Sequence, residues 1–380
     1  MKLAILFVFL FGMHELQYAQ TPDSNYYRRS PRLFDLVPTE QPNVKFPKRV
    51  ASDLNSMVFV KGGVFTFGMA VTCFSKASDT TLYFEQYPYR SFVQSFYMSD
   101  HEVTNSEYRA FVHWVQDSLH TTVPAQLKYR FTVEGNVKTV AVVPDSSVEI
   151  VGFYEQKLLD SPHFANEPIS GVTFYQAMAY CHWKTNRINE LLTAEGKDWR
   201  VAFSLPTQKE WEYAALASPY DDELDIITER RYYPWTGWDL KDPKGHYRAN
   251  FGAIYDENNV PIKTRTDDGF MSKSHVKSFP PNQLGIYDLA GNVAEWTREI
   301  PNPASDSIQQ RAYDKQELQL APEVRNSVMM NRFAPARVVK GGSYNNSPMY
   351  LLSGQSQLYN ENKAHITVGF RMTMQVLTAE

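Results

Sequence analysis

Asp288-Leu289-Ala290-Gly291-Asn292-Val293-Ala294-Glu295-Trp296 sets two carboxylates on either side of a glycine bend. A second stretch, Thr266-Asp267-Asp268-Gly269-Phe270, is a turn with adjacent acids. Side-chain carboxylates combined with loop carbonyls are the donors that a hard cation such as calcium prefers. Each stretch taken alone also reads as an ordinary acidic turn, so the surrounding chain has to decide its meaning.

Outward from these loops the chain is punctuated by three helix starts. Thr104-Asn105-Ser106-Glu107, Thr173-Phe174-Tyr175-Gln176 and Thr207-Gln208-Lys209-Glu210 are capping boxes. In each, a threonine hydroxyl satisfies one backbone donor and a Glu or Gln three residues on satisfies another. Tyr108, Phe111, Val112 and Val115 follow the first at helical spacing. Nearer the N-terminus, Met57 to Gly68 reads as two short strands around a glycine turn. The glycines there suggest a phosphate loop only by spacing, because Met69-Ala70 stands where Lys-Ser/Thr is required. Few helices and much irregular chain over roughly 320 residues argue for a single α+β domain rather than a doubly wound sheet.

The remaining N-terminal sequence is of another kind. Lys2 precedes an apolar run from Leu3 to Phe11, and Ala19 offers a small residue at a cleavage point. This reads as a secretory signal peptide over residues 1–19. Residues 20–54, with Pro22, Pro31, Pro38, Pro42 and Pro47, read as an extended arm, either a spacer or a strap for a partner. The packed domain is then expected over 55–376. No later segment reads as a membrane span, and the run contains no cysteine for lipid attachment. A net charge of −4 gives no basic field for nucleic acid. The two cysteines, Cys73 and Cys181, could pair, but Cys181 falls on an apolar helix face where a buried thiol is expected.

No His-Glu-x-x-His helix, Gly-x-Ser-x-Gly elbow, Cys-x-x-Cys or dinucleotide fingerprint is present. The nine histidines are scattered, and His101 and His182 read as packed or surface residues rather than ligands. No acid/base pair can be assigned from spacing.

The order of segments is more specific than any one of them. Met57-Val58-Phe59-Val60-Lys61-Gly62-Gly63 is followed by Glu102-Val103-Thr104-Asn105, Pro168-Ile169-Ser170-Gly171-Val172-Thr173 and Leu205-Pro206-Thr207 with Glu210-Trp211-Glu212. Gly285-Ile286-Tyr287-Asp288, Gly291 to Trp296, Val339-Lys340-Gly341-Gly342-Ser343-Tyr344 and Gly369-Phe370-Arg371 complete the series. This resembles the formylglycine-generating enzyme, or sulfatase-modifying factor, family from about residue 55 to 375. The resemblance implies a single irregular α+β fold related to C-type lectins. It also implies two calcium sites, one on Asn250, Phe251, Asp268 and Phe270 and the other on Asp288, Gly291, Val293 and Glu295.

The family's enzymes place two copper-binding cysteines after the Gly-Gly-Ser-aromatic motif, and the matching positions here are Asn346 and Leu351. Neither offers the thiolate that a cuprous ion needs. The His-x-x-x-His-x-Glu site of the related iron-dependent enzymes has no counterpart. The resemblance therefore implies no catalytic residues, no copper or iron, and a non-catalytic protein. Phe111-Val112-His113-Trp114, Tyr350-Leu351-Leu352-Ser353-Gly354 and Asp267-Asp268-Gly269 are similar to the gliding-motility and type IX secretion branch, GldK and PorK, with GldJ beside it. That branch implies a periplasmic, outer-membrane-associated ring scaffold with a protein partner subunit, as a homo-oligomer or hetero-oligomer. A divergent oxidoreductase with a relocated metal site is the alternative, and a lectin-like carbohydrate binder a weaker third.

Overall fold

A seven-residue helix, α1 (Lys48–Leu54), precedes every strand in the computed structural model, which describes residues 45–68, 89–144, 159–216, 231–255, 261–264, 266–300 and 335–377. This helix corrects the extended arm expected up to residue 54. Pro47 stands at its N-cap, where a missing N–H costs nothing. From there Val50 and Leu54, one turn apart, enter the main core. Packed structure thus begins ahead of residue 55. The signal peptide and the arm up to residue 44 lie outside the described residues, and the described residues all belong to the unit Thr39–Glu380.

The two strands expected around the Gly62-Gly63 turn both form, as β1 (Met57–Val60) and β2 (Gly63–Phe67). They do not pair with each other. β2 lies against β3 (Tyr89–Val93), while β1 lies against β4 (Phe96–Ser99). The short link from β3 to β4 passes directly against Gly62, where a Cβ would come within 2.4 Å of the Val93 carbonyl. The glycine therefore serves a close backbone approach between two separate ladders.

All three capping boxes open helices. α2 (Asn105–Leu119) follows Thr104, with both reciprocal bonds to Glu107 in place. β5 (Lys128–Val133) and β6 (Asn136–Ala141) make a hairpin. α3 (Phe174–Ala194) starts at Thr173 with Gln176 closing the box. After β7 (Arg200–Ser204), α4 (Gln208–Leu216) starts at Thr207, whose N–H donates to Glu210 Oε2 at 2.7 Å. β8 (Ile254–Tyr255), β9 (Pro261–Lys263), β10 (Ala294–Trp296), β11 (Ala336–Lys340), β12 (Gln357–Asn360), β13 (Val368–Gly369) and β14 (Thr373–Leu377) complete the described strands.

Two four-stranded sheets organise these pieces. One runs β1-β4-β14-β7 and is antiparallel throughout; the other runs β12-β11-β10-β13 with β10 and β13 parallel. The main core is aromatic. Tyr108 and Phe111 of α2 meet Tyr180 and Trp183 of α3, and Tyr108 stacks on Tyr180 with centroids 5.6 Å apart. Flat side chains fill the space between irregular segments with few rotamers to lose, each pair adding about 0.5–1.5 kcal/mol beyond area burial. A second cluster gathers Trp211 with Val60, Met98, Ile286 and Leu289, and a third gathers Tyr233, Phe251, Ala290 and Leu351. Few helices, many short strands and long loops make this an α+β fold, as expected. Among the described residues no helix is long and apolar enough to cross a membrane.

Candidate functional site

The 288–296 stretch is folded as a buried polar knot. Asp288 and Asn292 take left-handed backbone conformations, at φ 54° and 60°. Gly291 shares that region at φ 82°, and a Cβ there would lie 2.1 Å from the Asn250 carbonyl. The bend thus presses the two proposed loops together, and Asn292 N–H donates to Asn250 O at 2.9 Å. Asn292 does more: its Nδ2 donates to Glu102 Oε2 at 3.2 Å, its Oδ1 accepts from Ser274 N–H at 2.9 Å, and its carbonyl accepts from Tyr344 N–H at 2.9 Å.

Glu295 on β10 is wholly committed. Arg371 donates to both of its oxygens, Nε to Oε2 and Nη2 to Oε1, each at 2.7 Å, and Trp211 Nε1 donates to Oε2 at 2.7 Å. Asp288 Oδ2 accepts from Lys277 N–H at 2.6 Å. Glu102, also fully buried, accepts from Val293 N–H at 3.3 Å.

Three carboxylates therefore share one guanidinium in a buried site. Burial holds Glu102 well above the usual carboxylate range, and the Asp288 and Glu295 charges push it the same way against Arg371. Burial also raises Asp288 to about 6; the Lys277 N–H and Arg371 oppose this and Glu295 adds to it. Excess buried negative charge is what a cation would relieve. Of the implied donors, however, Glu295 is already taken by Arg371 and Trp211, so Asp288 with loop carbonyls is what remains for a cation. Among the described residues no three Asp, Glu, His or Cys side chains gather closely enough to enclose a metal alone, so the Gly291 and Val293 carbonyls would have to contribute.

The other implied loop is arranged differently. Phe251 N–H donates to Asp268 Oδ2 at 3.1 Å, and Phe270 N–H donates to Asp268 Oδ1 at 3.2 Å. Asp268 and the Phe251 carbonyl converge as expected, but on the ammonium of Lys263, which lies 2.8 Å from each. Asn250 turns its Nδ2 to the Ser272 carbonyl at 2.8 Å. Asp267 bonds back to Thr264, its Oδ2 accepting that residue's N–H at 2.9 Å. These residues do not fit a calcium ion.

At the positions matching the copper-binding cysteines, both side chains have structural work. Asn346 Oδ1 accepts from Ser343 N–H at 2.9 Å and Ser343 Oγ at 2.8 Å, closing the turn after Gly341-Gly342. Leu351 ends a short 3₁₀ turn over Pro348–Leu351 and is wholly buried beside Phe251 and Ala290.

Cys181 is a free, buried thiol on α3, and burial pushes its pKa up. Cys73, the other half of the pairing left open above, lies outside the described residues. His182 accepts or donates a 2.9 Å bond with the Tyr129 hydroxyl, and His101 is clamped between Asp100 and Glu107. Glu102, Asn292, Arg371, Trp211 and Lys263 were not read as site residues. Four of them stand inside the ordered motifs, which was their signal. Lys263 stands in none.

Residues 43–376 match the family of sulfatase-modifying factor enzyme 1-like domains. The formylglycine-generating enzyme of Mus musculus is 29% identical over 258 residues, covering 65% of this chain and 58% of its own length. The match thus spans little more than half of that enzyme. The inactive C-alpha-formylglycine-generating enzyme 2 of Mus musculus is 30% identical over 142 residues, 37% of this chain and 35% of its own. Among solved structures, PvdO from Pseudomonas aeruginosa superposes with a TM-score of 0.47 at 19% identity, covering 84% of this chain and 94% of its own.

Proposed function

This chain belongs to the sulfatase-modifying factor family, and from that premise we propose that it is a non-catalytic member acting as a structural subunit. The observation behind this reading is the pair Asn346 and Leu351. A copper site needs two thiolates there, and the chain offers an amide that closes its own turn and a leucine sealed in an apolar cluster. Leu351 has no donor atom to offer a metal in any rotamer, and it is buried in the cluster with Phe251 and Ala290.

The finer assignment is to the GldK and PorK kind of protein: a periplasmic scaffold, held near the outer membrane by partners, that uses the enzyme-like fold for protein–protein docking. The sequence motifs around His113, Gly354 and Asp268 support it. The turn from Tyr344 to Leu351 and the arm upstream of residue 45 are the proposed contact regions. Calcium bound around Asp288 would brace the Gly291 bend rather than take part in chemistry.

Two measurements test this together. The mature protein, purified without tags or chelators, is assayed for bound metals and then, after copper loading under oxygen, for aldehyde formation on a cysteine-containing peptide. Calcium without copper or iron, and no aldehyde, is the expected result. One equivalent of copper or iron, or aldehyde above the metal-only control, would replace the scaffold with a divergent oxidoreductase. Removing residues 20–44 should then abolish co-purification with the ring partner subunit if the arm is the strap.

A further inference from the structure

We infer that Lys263 is a built-in cation that occupies the oxygen cage of the 250–270 loops, so that this part of the fold is held without a metal ion. The side chains of Lys263 and Asp268 are both wholly buried, and their charged atoms are 2.8 Å apart. The ammonium has three N–H donors, and three oxygens receive them. These are Asp268 Oδ2, the Phe251 carbonyl at 2.8 Å and the Thr264 carbonyl at 3.0 Å. The Phe251 and Tyr247 rings lie 4.5 and 5.2 Å away and cover the remaining approach. Every donor is used, which is the condition under which a buried ammonium is tolerated.

Calcium demands six to eight oxygens at about 2.3–2.6 Å. Here three oxygens stand at hydrogen-bonding distance around a nitrogen, and the Asn250 amide that would add a fourth donates its Nδ2 elsewhere. Charge points the same way. One ammonium neutralises the one carboxylate, whereas a divalent ion admitted beside Lys263 would face its positive charge at close range in a dry site.

Position in the fold explains why a lysine can do this. Lys263 is the last residue of β9, and pairing with β8 places Ile254 across from it. The strand therefore carries the side chain inward beneath Phe251, twelve residues on from the carbonyl it binds. Asp268 reaches the same point from the turn that follows. A single lysine thus ties three successive segments, as a metal would, but through a covalently attached charge that no chelator can remove.

The test is reductive methylation of the native, full-length mature protein, followed residue by residue by peptide mass spectrometry in chelator and in millimolar calcium. Lys263 should be labelled at least about tenfold more slowly than the exposed Lys128 and Lys244, equally in both conditions. Calcium-dependent labelling of Lys263 would overturn the inference, since a metal entering the cage must expel the amine. So would labelling at the rate of the exposed lysines. Thermal unfolding of Asp268→Asn is the second readout. Any calcium-induced rise in wild-type Tm should persist in this variant, because that ion binds elsewhere. A calcium response lost on Asp268→Asn would instead place the ion in this loop.

Discussion

His101 shows what a single side chain contributes where the loop enters α2. Burial would by itself lower its pKa, but hydrogen bonds and charge attraction from Asp100 and Glu107 outweigh it and raise the imidazole to about 9. The folded state therefore binds a proton more tightly than the unfolded chain, whose histidine titrates near its ordinary 6.5. Its contribution is fully present below about pH 6.5 and is lost as pH rises through 9. Urea denaturation from pH 6 to 10 should show a decline in wild type that is shallower in His101→Gln. Parallel curves would mean the imidazolium adds nothing. At this scale the sequence was legible wherever partners are three residues apart, as in the three capping boxes. Lys263 was hidden because its meaning depends on a strand pairing and on Phe251, which no local pattern connects to it.

The elements were legible in kind and less so in connection. Short apolar runs announced strands, yet β1 and β2 diverge into different sheets because the chain near Val93 crosses Gly62. Propensity also hid α1, since five prolines upstream made the whole stretch read as extended. The helix begins where the prolines stop, and its Val50 and Leu54 join the core. A variant starting at residue 45 should keep the wild-type Tm, whereas one starting at residue 55 should unfold much earlier. Each buried aliphatic side chain removed costs about 2–5 kcal/mol. Differential scanning calorimetry of the two truncations separates these outcomes, and equal Tm values would return α1 to the status of a spacer.

Across the whole molecule, Arg371 is the joint between the two four-stranded sheets. It grips Glu295 on β10 of one sheet, the Ser99 carbonyl on β4 of the other at 3.3 Å, and the Tyr287 carbonyl at 2.9 Å. Glu295 and Glu102 hold its charge, and burial opposes it. Replacing Arg371 by Met would leave three buried carboxylates without their shared counter-ion, and breaking a buried pair costs about 3–5 kcal/mol. The expected result is a large loss of Tm at pH 7 with partial recovery as pH falls and the acids are protonated. A small change at pH 7 would mean that the sheets are held by apolar packing alone. The motifs Gly-Phe-Arg, Glu-Trp-Glu and Gly-Asn-x-x-Glu-Trp could be read in order from the sequence; that they converge on one ion pair could not.

The placement of β14 sets a timetable for the polypeptide. β14 lies between β4 and β7, so the centre of the first sheet is supplied by residues 373–377. Ser99 and Met372, which exchange hydrogen bonds across this seam, are 273 positions apart. As the chain leaves a ribosome, β4 has an open flank until residues 373–377 have followed. Closing that gap early is impossible, and late closure over so long a separation is slow. A ribosome-bound nascent chain stalled short of residue 370 should therefore lack this central strand and remain sensitive to protease.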